Sequence, residues 1–305
     1  MNKGRLSCKS IAAAITQCGR DSAMETTKIV EREFGGKVIY GDTDSVMVTI
    51  DIPGLSIDAD LSTRIKAYCD FFTNVAASIT ARFPPPMKLT FEKMMINYVL
   101  VKKKHYAGDK RESVKDKPTL MIKGLAAVKR DKCPLARDIC TTMLKRIVID
   151  TDIKGAMQYL QHALNQIVSG NVDIKEFVIT TKLSGYQPKQ NGHKPNVVTH
   201  LAQRMLAKDP GSAPSVGSRV PYVIASKPGR LPHECGETVA TLIAEKTIHL
   251  DLEYYLRTQI QNPVVSFMSV ITPDITTVQR MFDRALGDAF ALMNNNSRIN
   301  FQTLV

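Results

Sequence analysis

The stretch from Val38 to Ile50, VIYGDTDSVMVTI, constrains this chain more than any other. Apolar, mostly β-branched residues (Val38, Ile39, then Val46, Val48, Ile50) flank a short polar turn, Tyr40-Gly41-Asp42-Thr43-Asp44-Ser45. That alternation predicts a β-hairpin with Asp42 and Asp44 at its tip and Tyr40, Gly41, Thr43 and Ser45 shaping it. Two carboxylates this close repel each other unless water screens them or a cation lies between them. Asp-rich turns are common simply as turns. Apolar arms, however, bury and hold the tip rigidly, and rigid aspartates suit Mg2+, a hard cation that takes one or two carboxylates and fills its shell with water and phosphate oxygens. A bare turn and a metal-holding turn both fit these residues.

The length of 305 residues suits one large domain or two ordinary ones. Lys and Arg number 41 against 29 Asp and Glu, with a pI near 9.4, a balance that suits a polyanionic partner, most often nucleic acid and sometimes an anionic membrane. Neither a basic membrane-surface helix nor a bilayer-length apolar run is visible, and the N-terminus does not read as a signal peptide, so no membrane partner is expected. Cys8, Cys18, Cys69, Cys133, Cys140 and Cys235 are scattered and none forms a Cys-x-x-Cys pair. A zinc site or disulfide framework is therefore not expected, and a reducing compartment fits.

Periodicity outlines the remaining elements. Ser10 is expected to cap a helix running to about Glu33, with Ile11, Ile15 and Cys18, then Ile29, Val30 and Phe34, along an apolar face, and Gly35-Gly36 ending it. Leu61 to Ile79 reads as a second amphipathic helix, stopped by Pro84-Pro85-Pro86. Leu89 to Val101 reads as one or two strands carrying Phe91-Glu92-Lys93, and Met121 to Val128 as a strand leading into a loop. Beyond Lys132-Cys133-Pro134 the pattern turns mainly helical: Leu135 to Ile149, Ile153 to Val168, Val197 to Ala207, Asp251 to Gln261 and Thr277 to Met293, followed by the polar run Asn294-Asn295-Asn296-Ser297. Strand-like interruptions fall at Phe177 to Thr181 and Val220 to Ile224. The class is α+β, an antiparallel hairpin with helices followed by a mainly α-helical part, with a boundary near residue 130.

Four further segments carry chemistry-bearing residues. Phe91-Glu92-Lys93 alone would be a solvated strand face. Lys103-Lys104-His105-Tyr106-Ala107-Gly108 offers lysines for phosphate oxygens, a Tyr ring for a sugar or base, and a glycine allowing close backbone approach; its plain alternative is a solvated lysine turn. Lys123, Lys129, Arg130 and Lys132 place four basic residues within ten positions. Asp209-Pro210-Gly211-Ser212-Ala213-Pro214, with Gly217, Arg219, Val220, Pro221 and Tyr222, reads as a Gly/Pro/Ser loop entering a short strand. Cys133 is expected to pack rather than react, since nothing nearby in sequence would activate a thiolate.

Taken together and in this order, from about Leu6 to Pro263, these segments resemble the B-family DNA polymerases, in particular the polymerase-delta-like set with its large-DNA-virus relatives. YGDTDS resembles the family's palm hairpin. The resemblance implies Asp44 as a direct ligand of Mg2+, Asp42 as a supporting or second-metal carboxylate, and Glu92 as an auxiliary one, with two ions in the complete site. It implies that Lys103, Lys104, His105, Tyr106 and Gly108 grip primer–template DNA, that Lys123, Lys129 and Arg130 lie at the palm-to-thumb junction, and that Arg219 belongs to the thumb. Departures are Thr90, where the family often has an acidic residue, His105, where it commonly has Arg, Lys129, where it often has Arg and the charge is kept, and Lys132, where it often has Asn.

The implied activity is template-directed nucleotidyl transfer from deoxynucleoside triphosphates to a primer 3′-hydroxyl during replication. Residues 1–130 would be the C-terminal part of the palm, and residues 131–305 the thumb and tail. The family's earlier catalytic aspartate, in a Ser-Leu-Tyr-Pro-rich motif, its Lys…Asn-Ser-x-Tyr-Gly fingers helix and its exonuclease carboxylates have no counterpart here. The chain is thus expected to be a portion that needs the N-terminal part of the polymerase as its partner and does not polymerise alone. A processivity factor, and work in a host nucleus or a viral replication compartment, follow from the same resemblance, as does a tilt towards a large DNA virus of eukaryotes. The alternative is a non-catalytic module that keeps only the duplex grip. A reverse-transcriptase palm, the third reading, shares an aspartate hairpin but not the thumb loop.

Overall fold

Helix α1 (Lys9–Glu33) opens the described part of the chain. The computed structural model describes residues 8–56, 58–113, 115–187, 196–245 and 247–294; the stretch Met1 to Ser7, a short polar lead in the sequence, and Asn295 to Ser297 lie outside them. The helix starts one residue before Ser10. Cys8 holds the cap position without a side-chain cap, so Ser10 sits inside the first turn. The expected apolar face is covered only in its second half, where Ile29 and Val30 are buried; Ile11 and Ile15 are 61% and 66% exposed. Gly35 at φ +68° turns the chain, and the Gly36 N–H donates to the Val30 carbonyl (3.2 Å), closing the helix as expected.

The hairpin follows directly, β1 (Lys37–Asp42) antiparallel to β2 (Ser45–Thr49). Helix α2 (Leu61–Thr80) is capped by Asp60, whose carboxylate accepts from the Thr63 N–H (3.0 Å). Ile29, Val30, Val75 and Ile79 form a small core that Phe34, Val38, Val48, Phe71, Phe83 and Leu89 flank. Each such aliphatic side chain removed from water contributes about 1.5–3 kcal/mol. Glu33 and Arg82 close the open ends of α1 and α2 with a two-pronged ion pair.

Residues 89–93 do not join a ladder, contrary to the expected strand. The Leu89 N–H donates to the Thr80 hydroxyl (3.0 Å), which itself donates to the Ala76 carbonyl (2.8 Å), so the end of α2 takes the main-chain donor of Leu89 that a strand would need. Strand β3 (Met94–Lys102) begins only after Lys93, and β4 (His105–Arg111) and β5 (Thr119–Lys123) complete a sheet of order β3-β4-β5. Lys103 and Lys104 are the two-residue connection between β3 and β4. The described residues divide into two compact units: one holds the chain up to Tyr98 with Lys102–Lys104 and Gly108–Met121, the other Val99–Val101, His105–Ala107 and everything from Ile122 onward.

The second unit is built on α3 (Pro134–Val148) and α4 (Ile153–Val168), the latter capped by Asp152 on the Gly155 N–H (2.7 Å). Ile139, Met143, Leu144, Leu160, Leu164 and Ile167 are fully buried, together with Phe177, Tyr255, Phe267 and Phe282. Strand β6 (Ile179–Lys182), helix α5 (Val197–Lys208), strand β7 (Arg219–Ile224), the two-residue β8 (Gly236–Glu237) and helix α6 (Val239–Ala244) follow, with sheet order β6-β7-β8. The helical run expected to stop at Gln261 continues: α7 (Leu252–Tyr254) passes into a π-wound stretch, Tyr255–Gln261, and then α8 (Asn262–Ile271). The wider π turn lets Pro263, which has no N–H to offer, sit in the first turn of α8 without breaking the run. Helix α9 (Ile275–Asn294) closes the described chain. Small antiparallel sheets and a helical C-terminal region make the α+β class expected from sequence.

Candidate functional site

The hairpin pairs Val38 with Val48, Tyr40 with Met47, Gly41 with Val46 and Asp42 with Ser45. Ile39 is the extra residue of a bulge between the first two pairs. Thr43 and Asp44 form the two-residue tip. Thr43 has φ +58°, a left-handed conformation that costs a β-branched residue about 1–3 kcal/mol. Local bonds hold it: the Asp44 N–H and the Ser45 hydroxyl both donate to the Asp42 carbonyl (2.7 and 3.1 Å), and the Thr43 hydroxyl donates to Asp42 Oδ1 (3.2 Å). From behind, α1 comes so near at Gly19 that a Cβ there would stand 3.5 Å from the Thr43 carbonyl oxygen.

A second element reaches the tip. Lys104, itself left-handed at φ +63°, donates its backbone N–H to the Tyr40 hydroxyl (2.9 Å) and sets its ammonium 2.9 Å from Asp42 Oδ1. The β3–β4 turn is therefore fastened to the hairpin by one main-chain and one side-chain contact. The Lys104 ammonium holds the Asp42 carboxyl below the usual carboxylate range, and Asp42 in turn raises the Lys104 ammonium. Asp44 is exposed beside them. Glu92 is exposed, and Lys93, 2.6 Å away, lowers its carboxyl. Among the described residues no three acidic, His or Cys side chains converge as a metal cage would require. Asp42 and Asp44 stand together at the tip, and Glu92 does not complete a trio with them.

The donor set still fits a hard divalent cation as a partial shell. Both tip groups are carboxylates, and Asp42 already attracts a cation, the ammonium of Lys104. Mg2+ is held in this way by one or two carboxylates with water and phosphate oxygens filling the rest.

The remaining basic residues divide by exposure. Lys103, Lys104, Lys123, Lys129, Arg130 and Arg219 are all exposed. The Arg219 guanidinium donates to the Thr180 carbonyl (3.1 Å), which lays the charged end of the side chain on the neighbouring strand of the β6–β7 ladder. Lys132 is turned inward; it donates to the Thr258 carbonyl (2.9 Å), and burial holds its ammonium below the ordinary lysine value. His105 is half-buried, and Tyr106 and Gly108 are buried inside β4. A Cβ on Gly108 would meet Met95 Sδ at 2.5 Å, so the close approach this glycine permits is to β3. Cys133 is fully buried, with its thiol pushed up to about 11, in keeping with packing rather than reactivity.

Sequence reading missed two features. The Lys104–Asp42 pair joins residues with no shared period, and no local signal marks it. Asp109 and Arg111, by contrast, form a buried two-pronged ion pair (both contacts 3.1 Å) with Arg111 also donating to the Asp116 carbonyl (2.7 Å). The opposite charges two residues apart on one strand were the available clue.

With a carboxylate-tipped hairpin, a basic turn fastened to it and a helical second unit in place, the class of the protein follows. The chain belongs to DNA polymerase family B, whose family model matches residues 1–271. It is similar to the DNA polymerase delta catalytic subunit of Bos taurus, 35% identical over 277 residues, which cover 88% of this chain and 24% of that relative. The subunits of the same name from Dictyostelium discoideum (33% over 285 residues, 89% and 24%) and Schizosaccharomyces pombe (32% over 278 residues, 88% and 24%) match to the same extent. The chain thus spans about a quarter of the length of these relatives. Family membership bears out the resemblance drawn from the motifs.

Proposed function

We propose that this chain supplies the metal-holding hairpin and part of the duplex grip of a delta-like DNA polymerase, which joins deoxynucleotides to a primer 3′-hydroxyl under the direction of a template. The observation that carries this reading is the tip itself: Asp42 and Asp44 on a braced hairpin, with the Lys104 ammonium 2.9 Å from one of them. Asp44 would be the direct ligand and Asp42 the supporting or second-metal carboxylate of a two-ion Mg2+ site, with Glu92 auxiliary. Bound there, Mg2+ would supply activation of the hydroxyl and neutralisation of the triphosphate charge. The chain's own part is to orient these carboxylates and hold Asp42 ionised. Lys103, Lys104, Lys123, Lys129, Arg130 and Arg219, all exposed, would take backbone phosphates.

In this reading residues 1–130 serve as palm and 131–305 as thumb. Two tip carboxylates, with no third acidic, His or Cys side chain converging on them among the described residues, make half a two-metal site. The chain alone is therefore expected to bind primer–template without extending it, and to need carboxylates and fingers from the rest of a polymerase. Family resemblance further supports work in a nucleus or a viral replication compartment, beside a processivity factor. Primer extension and primer–template binding, measured on the same preparation, test this. Saturable binding with no Mg2+-dependent synthesis is the expected result. No binding at low salt would overturn the polymerase reading, and synthesis by the chain alone would overturn the claim that its site is partial.

A further inference from the structure

Lys104 makes a contact that a duplex-gripping lysine does not need. Its ammonium rests on Asp42 Oδ1 at 2.9 Å, yet the lysine side chain is 61% exposed and the aspartate side chain 31%. The base of the residue is fixed, because its N–H is held by the Tyr40 hydroxyl and its backbone is left-handed. The four-carbon stem beyond that base can swing. An ammonium in this position and a dication on the same carboxylate oxygen repel each other, so only one of them can sit there at close range.

We infer that Lys104 is a shared counter-ion, neutralising Asp42 until a phosphate of bound duplex draws its ammonium away, so that duplex binding and divalent-cation binding at the hairpin tip assist each other. This rests on the proposed function for the tip carboxylates and goes beyond it by coupling the two ligands through one side chain. The coupling is reciprocal by thermodynamic necessity: if duplex improves cation affinity by some factor, the cation improves duplex affinity by the same factor. It also gives the left-handed backbone of Lys104 a use, since that conformation aims the side chain at Asp42 in the absence of DNA.

Mn2+ serves as the probe, its free concentration read by electron paramagnetic resonance on the whole chain, with and without a short primer–template duplex. Without duplex, Lys104→Met is expected to bind Mn2+ roughly two- to fivefold more tightly than wild type, the range set by exposed ion pairs. With saturating duplex that gap should close. Lys104→Arg, which keeps the charge, should behave as wild type, separating a counter-ion role from a merely structural one. Asp42→Asn is the control and should remove both the tight Mn2+ site and the gap. If Asp42→Asn weakens Mn2+ binding but wild type and Lys104→Met bind equally, the shared counter-ion is wrong while the site stands. If Asp42→Asn leaves Mn2+ binding unchanged, the shared counter-ion falls, and if Asp44→Asn leaves it unchanged as well, the metal reading of the hairpin falls with it.

Discussion

Arg111 and Asp109 have side chains only 9% and 6% exposed, and each is the other's charge partner. A buried pair like this contributes little net stability, but removing one partner leaves a buried, uncompensated charge. Arg111→Met is therefore expected to cost about 3–5 kcal/mol in urea unfolding, and Asp109→Leu combined with Arg111→Leu to recover most of it. A single-mutant loss under about 1 kcal/mol would mean that water reaches the pair. Glu237 poses the related question of pH. Burial pushes its carboxyl up, but Arg204 (2.8 Å) and Lys227 outweigh burial and hold it below the ordinary glutamate value of 4.5. A depressed carboxylate stabilises the fold fully above that ordinary value, and the contribution is lost as pH falls through the lower folded value. The stability advantage of wild type over Glu237→Gln should accordingly be constant from neutral pH to about 5 and shrink below the glutamate range. Thermal unfolding at a series of pH values checks the sign; an advantage that grows on acidification would contradict it.

Among elements, α1 is divided between a covered and an uncovered half. Ile29 and Val30 anchor one end, while described residues 8–18 are all exposed. Unpacked helical turns are marginal in water, so amides of residues 12–17 should exchange with solvent well ahead of those at 26–33. Equal protection along α1 in a hydrogen-exchange experiment would show the first half to be covered in solution. Where α1 meets the hairpin, a Cβ on Gly36 would stand 2.8 and 2.9 Å from Val48 Cγ1 and Val30 Cγ1, both on stiff side chains. Gly36→Ala should cost about 1–3 kcal/mol. The sequence made much of this architecture legible. The period of apolar residues placed α4 residue for residue and α2, α3, α5 and α9 to within a few, because each buries one stripe. It erred at 89–93, where the Thr80 hydroxyl takes the N–H of Leu89, and at Gln261, where the helix passes Pro263 through a π turn. Neither event alters hydrophobic period. In the site, Asp42 and Asp44 were legible because a turn is local. The Lys104–Asp42 contact was not, since partners 62 positions apart announce themselves only after folding.

For the whole molecule, a formal charge of +12 makes polyanion binding an electrostatic event first. Each phosphate neutralised should contribute about −0.9 to the slope of log affinity against log salt, whatever the base sequence. Lys103→Met with Lys104→Met should reduce that slope by about 1–2 units, with affinity falling equally on unrelated duplexes. Anisotropy titrations at several salt concentrations would measure it, and a slope the double variant leaves unchanged would remove these lysines from the interface. The bulge at Ile39 has a different bearing, on what kinds of genetic change the protein survives. Strand side chains alternate, so residue count between the half-buried Val38–Val48 pair and the tip decides which way Asp42 faces. Ile39 is the surplus position in that count. Many point substitutions there would leave the parity intact, whereas losing the codon would rotate Tyr40 and Asp42 to the opposite face of β1. A change of length in this segment is therefore expected to cost more than a change of letter.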